Sequence, residues 1–97
     1  MNAPRIALIH AVTVAMGPVQ AAFARDWPQA TLINLLDDSL SADRERSRDL
    51  SAAIAARIEA LADYALGAEA AAILYTCSAF GEAIERVQAR QIGRAHV

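Results

Sequence analysis

The chain has 97 residues, of which 56% are hydrophobic and 21% are charged, and its formal net charge is −2. A chain of this length and apolar content buries the core of one small domain, which argues against a multidomain enzyme and against a disordered segment. The slight negative charge and the aromatic content of 5% argue against a nucleic-acid partner, because such surfaces are basic and offer stacking side chains.

Cysteine usage and hydropathy indicate the compartment. The single cysteine, Cys77, excludes a disulfide framework and a cysteine-rich zinc site, and it is typical of a reducing environment. No apolar run approaches the roughly 18 residues that a membrane span needs, and the first residues do not read as a secretory signal. We therefore expect a cytoplasmic protein without a membrane partner.

The first half of the chain predicts a strand, a helix and a second strand. Residues 6–9 form a short continuous apolar run, which is typical of a buried parallel strand. Pro18 suits the first turn of a helix, and apolar residues follow at helical spacing until Pro28 ends the pattern. A second apolar run at 31–36 predicts the next strand.

The second half predicts a long helix, a third strand and a final helix. Ser41 is a candidate N-cap of the long helix, and Gly67 is expected to cap its C-terminus. Apolar residues recur every three or four positions and mark one buried helix face. These residues are Leu50, Ile54, Ile58, Leu61 and Ala65. The third strand is predicted at 71–75, and the last helix begins near Phe80.

The predicted order is therefore βαβαβα. Strands joined by helical crossovers are parallel, and such crossovers are almost always right-handed. The pattern predicts an α/β fold in three layers, a doubly wound half-domain whose parallel sheet carries helices on both faces.

Polar residues capable of chemistry collect in the loops that follow the three strands. The carboxyl ends of parallel strands meet at one sheet edge, where open α/β sheets bind ligands. The corresponding loops are 10–16, 37–41 and 76–80. The candidate residues in them are His10, Thr13, Asp37, Asp38, Cys77 and Ser78.

Cys77 is the sharpest candidate because it lies between a buried strand and the start of a helix. Unpaired backbone N–H groups and the helix dipole there stabilise a thiolate, and the same groups can hold a carboxylate. Ser78 would add a hydroxyl donor on one side and Thr76 another on the other. The alternative is that Cys77 is a small apolar residue packed under the helix.

His10 and the acidic pair have structural alternatives too. His10 could be an acid/base group or a hydrogen-bond donor to substrate, or a structural histidine bonded to the backbone. Asp37 and Asp38 fit a loop or capping role better than a catalytic one. His10 and these carboxylates are too sparse to predict a metal site.

Two segments carry a family resemblance. Residues 73–81 read Ile-Leu-Tyr-Thr-Cys-Ser-Ala-Phe-Gly, and residues 34–40 read Asn-Leu-Leu-Asp-Asp-Ser-Leu. Together they resemble the aspartate/glutamate/hydantoin racemase superfamily, most specifically in the Thr-Cys-Ser stretch. Members of that family use no cofactor. Two cysteines, one from each of two pseudo-symmetric lobes, face the substrate α-carbon from opposite sides, and one removes the α-proton while the other returns a proton.

The resemblance implies that Cys77 is the catalytic cysteine of a first lobe, and that a C-terminal lobe with the second cysteine is missing. The substrate would be a small carboxylate or an amino acid, bound partly by N–H groups that open the last helix. The candidate substrate-binding residues are Ser78, Ala79, Thr76, His10 and Thr13. Many members carry Asn where this chain has Ser78, which leaves the substrate open.

The leading hypothesis is a cofactor-independent racemase-like isomerase in which the Cys77 thiolate abstracts a proton next to a carboxylate. Without a second lobe the chain is expected to be inactive alone. One alternative is the chemistry of relatives that decarboxylate malonates or isomerise maleate. Another is a non-catalytic α/β module whose exposed sheet edge binds a partner, and homo-oligomerisation stays open as well.

The end of the chain predicts a boundary. Residues 92–97 read Ile-Gly-Arg-Ala-His-Val, which matches a translation of the common sequencing-adapter string ATC GGA AGA GCA CAC GTC. We expect residues 1–91 to form the racemase-like lobe and residues 92–97 to be a non-native tail.

Overall fold

The three strands follow in the predicted order, and the stretch predicted as one long helix contains two described helices, one on either side of residues 48–51. The computed structural model describes residues 3–47, 52–77, 84–85 and 89. The strands are β1 (Arg5–His10), β2 (Thr31–Leu36) and β3 (Ala72–Tyr75), and the helices are α1 (Met16–Asp26), α2 (Leu40–Ser47) and α3 (Ala52–Gly67). A short 3-10 turn, Thr13–Ala15, precedes α1. Ile84 and Glu85 are also helical, within the range predicted for the last helix.

The three strands form one parallel sheet in the order β2-β1-β3. Ile9 lies opposite Leu35 of β2 and Tyr75 of β3, and His10 lies opposite Leu36. The predicted α/β class with a parallel sheet is confirmed. Because β1 is central, its polar backbone groups are paired on both sides, and its side chains from Ile6 to His10 are all buried.

The main core lies between the sheet and α3. Side chains of a strand alternate between the two faces, and Ile9 belongs to the face that packs on α3. The buried cluster there comprises Ile9, Ala11, Leu40, Ile54, Ile58, Ala62, Cys77 and Ile84. The predicted burial of Ile54, Ile58 and Ala65 is confirmed. Leu61 is only partly buried, and Leu50 lies outside the described residues. Fully burying a side chain such as Ile58 stabilises the fold by about 1.5–3 kcal/mol.

The opposite face of the sheet carries Ile6, Leu8 and His10, which alternate with Ile9. The right-handed crossover from β1 to β2 places α1 on this face. The α1 helix buries no residue fully. Leu36 on β2 and Leu74 on β3 are 36% and 41% exposed, so this face is covered less completely than the α3 face.

The predicted N-cap at Ser41 is wrong by two residues. The helix α2 begins at Leu40, and the backbone N–H of Asp43 donates to the carbonyl of Ser39 (3.0 Å), which makes Ser39 the residue before the first turn. The side chain of Asp37 accepts hydrogen bonds from the backbone N–H and the hydroxyl of Ser39. The helix therefore begins two residues earlier than the spacing predicted, because Asp37 and Ser39 form the turn before it.

The predicted cap at Gly67 is wrong as well. Gly67 is the last residue of α3, and the left-handed residue that ends the helix is Glu69, with a φ of 64°. The N–H of Glu69 donates to the carbonyl of Leu66, and the N–H of Ala70 donates to that of Ala65. These two bonds form a Schellman motif, which satisfies the last carbonyls of the helix.

The described helices are short. The longest, α3, has 16 residues, whereas a transmembrane helix needs about 20 apolar residues. Within the part of the chain that the structure describes, no helix is both long enough and apolar enough to cross a membrane.

Candidate functional site

The loops after the three strands are joined at the carboxyl edge of the sheet. The backbone N–H of Thr76, just after β3, donates to the carbonyl of Ile9 in β1 (3.0 Å). The backbone N–H of Asp37, just after β2, donates to the carbonyl of His10 (3.2 Å). These bonds continue the sheet pairing beyond the strands and bring His10, Asp37, Thr76 and Cys77 to one edge.

His10 is completely buried and forms the centre of a hydrogen-bond chain across all three strands. Its Nε2 lies 2.8 Å from Oδ1 of Asn34 on the β2 side, and its Nδ1 lies 2.7 Å from Oγ1 of Thr76 on the β3 side. Both ring nitrogens are therefore used within the protein. A ligand at this edge would contact Thr76, which is partly exposed, rather than the imidazole itself.

Cys77 lies on the other face of the sheet, within the α3 cluster, and is 8% exposed. Its Sγ lies 4.0 Å from the carbonyl oxygen of Ile9, to which the thiol donates weakly. Burial raises the pKa of the Cys77 thiol above its ordinary value of 9.0, against a smaller lowering by a backbone hydrogen bond. Because a thiolate is costly in apolar surroundings, Cys77 is a protonated thiol at neutral pH.

The carbonyl of Ile9 connects the two faces. It accepts the backbone N–H of Thr76, and it lies 3.3 Å from the Thr76 hydroxyl as well as 4.0 Å from the Cys77 thiol. Thr76 and Cys77 are consecutive and point to opposite faces, yet their polar atoms share this one acceptor. This shared acceptor links the hydrogen bonds of His10 and Thr76 to the cysteine.

Asp37 belongs to an ion-pair network that the sequence patterns did not predict. Arg57 of α3 donates to Asp37 (2.8 Å), to Asp43 of α2 (2.7 Å) and to the hydroxyl of Ser39. Partial burial raises the pKa of Asp37, but hydrogen bonds from Ser39 and Arg57 outweigh it, so the pKa lies below its ordinary value of 3.8. Asp37 is thus an ionised carboxylate whose oxygens already accept hydrogen bonds from Ser39 and Arg57.

Arg57 was missed because sequence spacing alone gives no sign of its partners. It lies 20 and 14 positions along the chain from Asp37 and Asp43, and charged residues on a helix usually form a solvated face. A signal was present only in the burial pattern: Arg57 lies one position before Ile58 of the buried face, so its side chain starts beside the core.

Tyr75 is a second residue that the sequence patterns missed. It shares the face of Cys77, two positions away, and packs against the α3 cluster. Its hydroxyl oxygen is buried and has no hydrogen-bond partner among the described residues. Burial raises the pKa of Tyr75, and the nearby Cys77 and Asp63 raise it further, so the hydroxyl stays protonated.

The other predicted substrate contacts are placed differently. Thr13 is exposed and begins the 3-10 turn before α1. Ser78 and Ala79 lie outside the described residues, as does the predicted start of the last helix at Phe80. The carboxylate-binding N–H groups of that helix therefore stay a prediction.

A cavity of about 240 Å³ lies elsewhere on the molecule. It is lined by Ala22, Phe23, Asp26 and Trp27 at the C-terminal end of α1, where the rings of Phe23 and Trp27 stack at 6.2 Å. Because α1 leads back to the start of β2, this cavity lies at the amino end of the strands. It is therefore separate from the candidate site.

Metal ligation receives no support from the geometry. Among the described residues, no group of three or more His, Cys, Asp and Glu side chains comes close enough together to hold a metal ion. His10 uses both nitrogens within the protein, and Asp37 is paired with Arg57.

The fold and the strand-end residues define this chain as a small α/β protein with a parallel sheet and a polar carboxyl edge. No family model, curated protein or solved structure matches the chain.

Proposed function

We propose that this chain is one α/β lobe of a cofactor-independent isomerase, in which Cys77 exchanges a proton at the α-carbon of a small carboxylate. The observation that carries the proposal is the position of Cys77 at the carboxyl edge of the parallel sheet, beside the Asn34–His10–Thr76 chain. Ligand sites of open α/β sheets lie at this edge. The resemblance of residues 73–81 to the racemase superfamily supports the same chemistry.

The protonation state of Cys77 assigns its part in the reaction. The buried thiol carries a proton at neutral pH because its pKa is raised. At neutral pH Cys77 is therefore mainly the group that gives its S–H proton to the substrate carbanion and becomes a thiolate, and only its thiolate form, which gains population at alkaline pH, removes an α-proton. The α-proton leaves to a base on the opposite side of the carbon, and in the reverse direction the two groups exchange roles.

Inversion requires that opposing base. Cys77 is the only cysteine of the 97 residues, so a second acid/base group of the same kind has to come from another polypeptide segment or another chain. With Cys77 alone, a proton removed from one side of the carbon returns to that side. The chain by itself is then expected to exchange the α-proton with solvent and to keep the configuration.

Deuterium exchange tests the proposal directly. The full chain is incubated in D₂O with L-aspartate or L-glutamate as probes, and loss of the α-proton signal is followed by NMR while chiral chromatography measures inversion. We expect slow exchange with retention, faster at alkaline pH where Cys77 ionises, and no exchange above buffer in Cys77→Ala. Val14→Ala, a change at an 80% exposed position, serves as the control.

Three results would contradict the proposal or part of it. Equal exchange by wild type and Cys77→Ala, or no exchange by either, overturns the acid/base role of Cys77. Efficient inversion by this chain alone overturns the requirement for a second group.

A second candidate function is a non-catalytic α/β interaction module, and the burial of Cys77 favours it. A thiol that is 8% exposed and packed among Ile9, Ile54 and Ile58 behaves as a small apolar side chain. In that case Cys77→Val would leave the fold stable and no probe acid would exchange its α-proton. The deuterium experiment therefore separates the two candidates.

A further inference from the structure

We propose that Thr76 offers a ligand at the carboxyl ends of the strands only a hydrogen-bond acceptor. Its hydroxyl proton is already engaged within the protein, at the end of the buried row of hydrogen bonds that runs from Asn34 through His10. Thr76 would then select a small acid that carries an N–H or O–H donor next to its carboxylate. The location of the ligand rests on the proposed function, whereas the direction of the hydrogen bonds does not.

The direction of each hydrogen bond follows from counting the donors and acceptors of Asn34, His10 and Thr76. Oδ1 of Asn34 can only accept, so Nε2 of His10, 2.8 Å away, carries a proton. A neutral imidazole then has a bare Nδ1, which lies 2.7 Å from Oγ1 of Thr76. Since His10 is completely buried, leaving that nitrogen unpaired is unfavourable, and the Thr76 hydroxyl donates to it.

A doubly protonated ring leads to the same result for Thr76. Nδ1–H would donate to Oγ1 of Thr76, and the hydroxyl proton would turn to the carbonyl of Ile9, 3.3 Å away. In both arrangements the single proton of Thr76 is used inside the protein. The oxygen keeps a lone pair for a ligand, and Thr76 is partly exposed where its partner His10 is not.

This changes the role that Thr76 was expected to have. The sequence suggested a hydroxyl donor to the substrate carboxylate, but a carboxylate oxygen has no proton to give and would meet the lone pair of Thr76. An ammonium, amide or hydroxyl group on the neighbouring carbon supplies the missing donor. The carboxylate itself has to be bound by other groups.

The tautomer of His10 is tested by NMR on the full ¹⁵N-labelled chain. Long-range ¹H–¹⁵N spectra report both ring nitrogens, and a His96→Gln variant assigns the signals of the two histidines of the chain. In the neutral ring we expect a protonated Nε2 and a bare, hydrogen-bonded Nδ1. Thr76→Val should shift Nδ1 to the position of an unbonded nitrogen, and Thr76→Ser should restore it. A neutral ring protonated at Nδ1 overturns the inference.

Ligand preference is tested with L-lactate and propionate, which have the same charge and differ in one hydroxyl. Chemical-shift titration of the full chain should show lactate binding about 3- to 10-fold tighter, the worth of one hydrogen bond. Thr76→Val should abolish this preference, and Thr76→Ser should keep it.

The outcomes separate the two proposals. Propionate binding as tight as lactate, or a preference that survives in Thr76→Val, overturns the role of Thr76 and leaves the carboxylate site standing. Failure of both acids to bind overturns the carboxylate site of the proposed function, and the ligand preference falls with it.

Discussion

At the residue scale, the surroundings of Cys77 decide its chemistry. The thiol is packed among apolar side chains of the α3 cluster and donates weakly to the carbonyl of Ile9. A carbonyl accepts a hydrogen bond from the thiol and offers none to a thiolate. Burial is the cause that raises the pKa of Cys77 above 9.0, against a smaller lowering by a backbone hydrogen bond.

We predict that the native chain reacts slowly with iodoacetamide at pH 7. The rate should rise only as the pH passes above the ordinary thiol value of 9.0, because the thiolate is the reactive species. The same chain in denaturant provides the control, since its exposed Cys77 should react faster with an ordinary midpoint. Mass spectrometry counts the modified fraction, and a native midpoint below 9.0 would contradict the prediction.

At the scale of elements, the end of α3 carries local strain. Glu69 adopts a left-handed conformation with a φ of 64°, which costs a residue with a Cβ atom about 1–2 kcal/mol. The position cannot relax, because its N–H and that of Ala70 hold the Schellman motif in place. The motif leads the chain from α3 into β3 within a few residues.

Glycine substitutions should therefore have opposite effects at two nearby positions. Glu69→Gly relieves the left-handed strain at the cost of a more flexible unfolded chain, and we expect the free energy of unfolding to rise by about 0.5–1 kcal/mol. Ala60→Gly, at an exposed position inside α3, should lower it by about 0.5–1 kcal/mol. Urea unfolding followed by circular dichroism measures both, and a loss of stability in Glu69→Gly would show that the turn is not strained.

At the scale of the whole molecule, the Arg57 network ties three elements together. Asp37 follows β2, Asp43 lies on α2, and Arg57 lies on α3. The side chains of Asp37 and Arg57 are 29% and 34% exposed, so solvent screens the pair only in part. The folded state holds Asp37 ionised more firmly than the unfolded state does, which links the stability of the fold to pH.

The sign of that link gives a prediction for acid. The pKa of Asp37 is lower in the folded chain than its ordinary 3.8, so its contribution is complete above that value and is lost as the pH falls through the folded pKa. Asp37→Asn should lower the free energy of unfolding at pH 7, and its difference from wild type should shrink below pH 3.8. Thermal melts across this range measure the difference.

Asp38→Asn is the matched control for this acid dependence, because Asp38 is the exposed neighbour of Asp37 in the same loop and the change in charge is identical. Its melts should follow the wild-type pH dependence. If the free energies of unfolding of wild type and Asp37→Asn differed by the same amount at every pH, the charge of Asp37 would not contribute to stability.

The class of fold, and the sheet edge at which the polar residues collect, were predictable from the sequence. Short apolar runs such as 31–36 are typical of buried strands, and an apolar repeat of three or four residues is typical of helices. Their alternation along the chain predicts a parallel α/β sheet. Three features became visible only in the folded chain: both ring nitrogens of His10 are hydrogen-bonded, to Asn34 and Thr76, Cys77 is a buried thiol, and Arg57 pairs with Asp37. These features depend on residues far apart in the chain meeting at defined distances. Neither the spacing of the residues nor the composition predicts these long-range contacts, because they form only when the strands and helices pack.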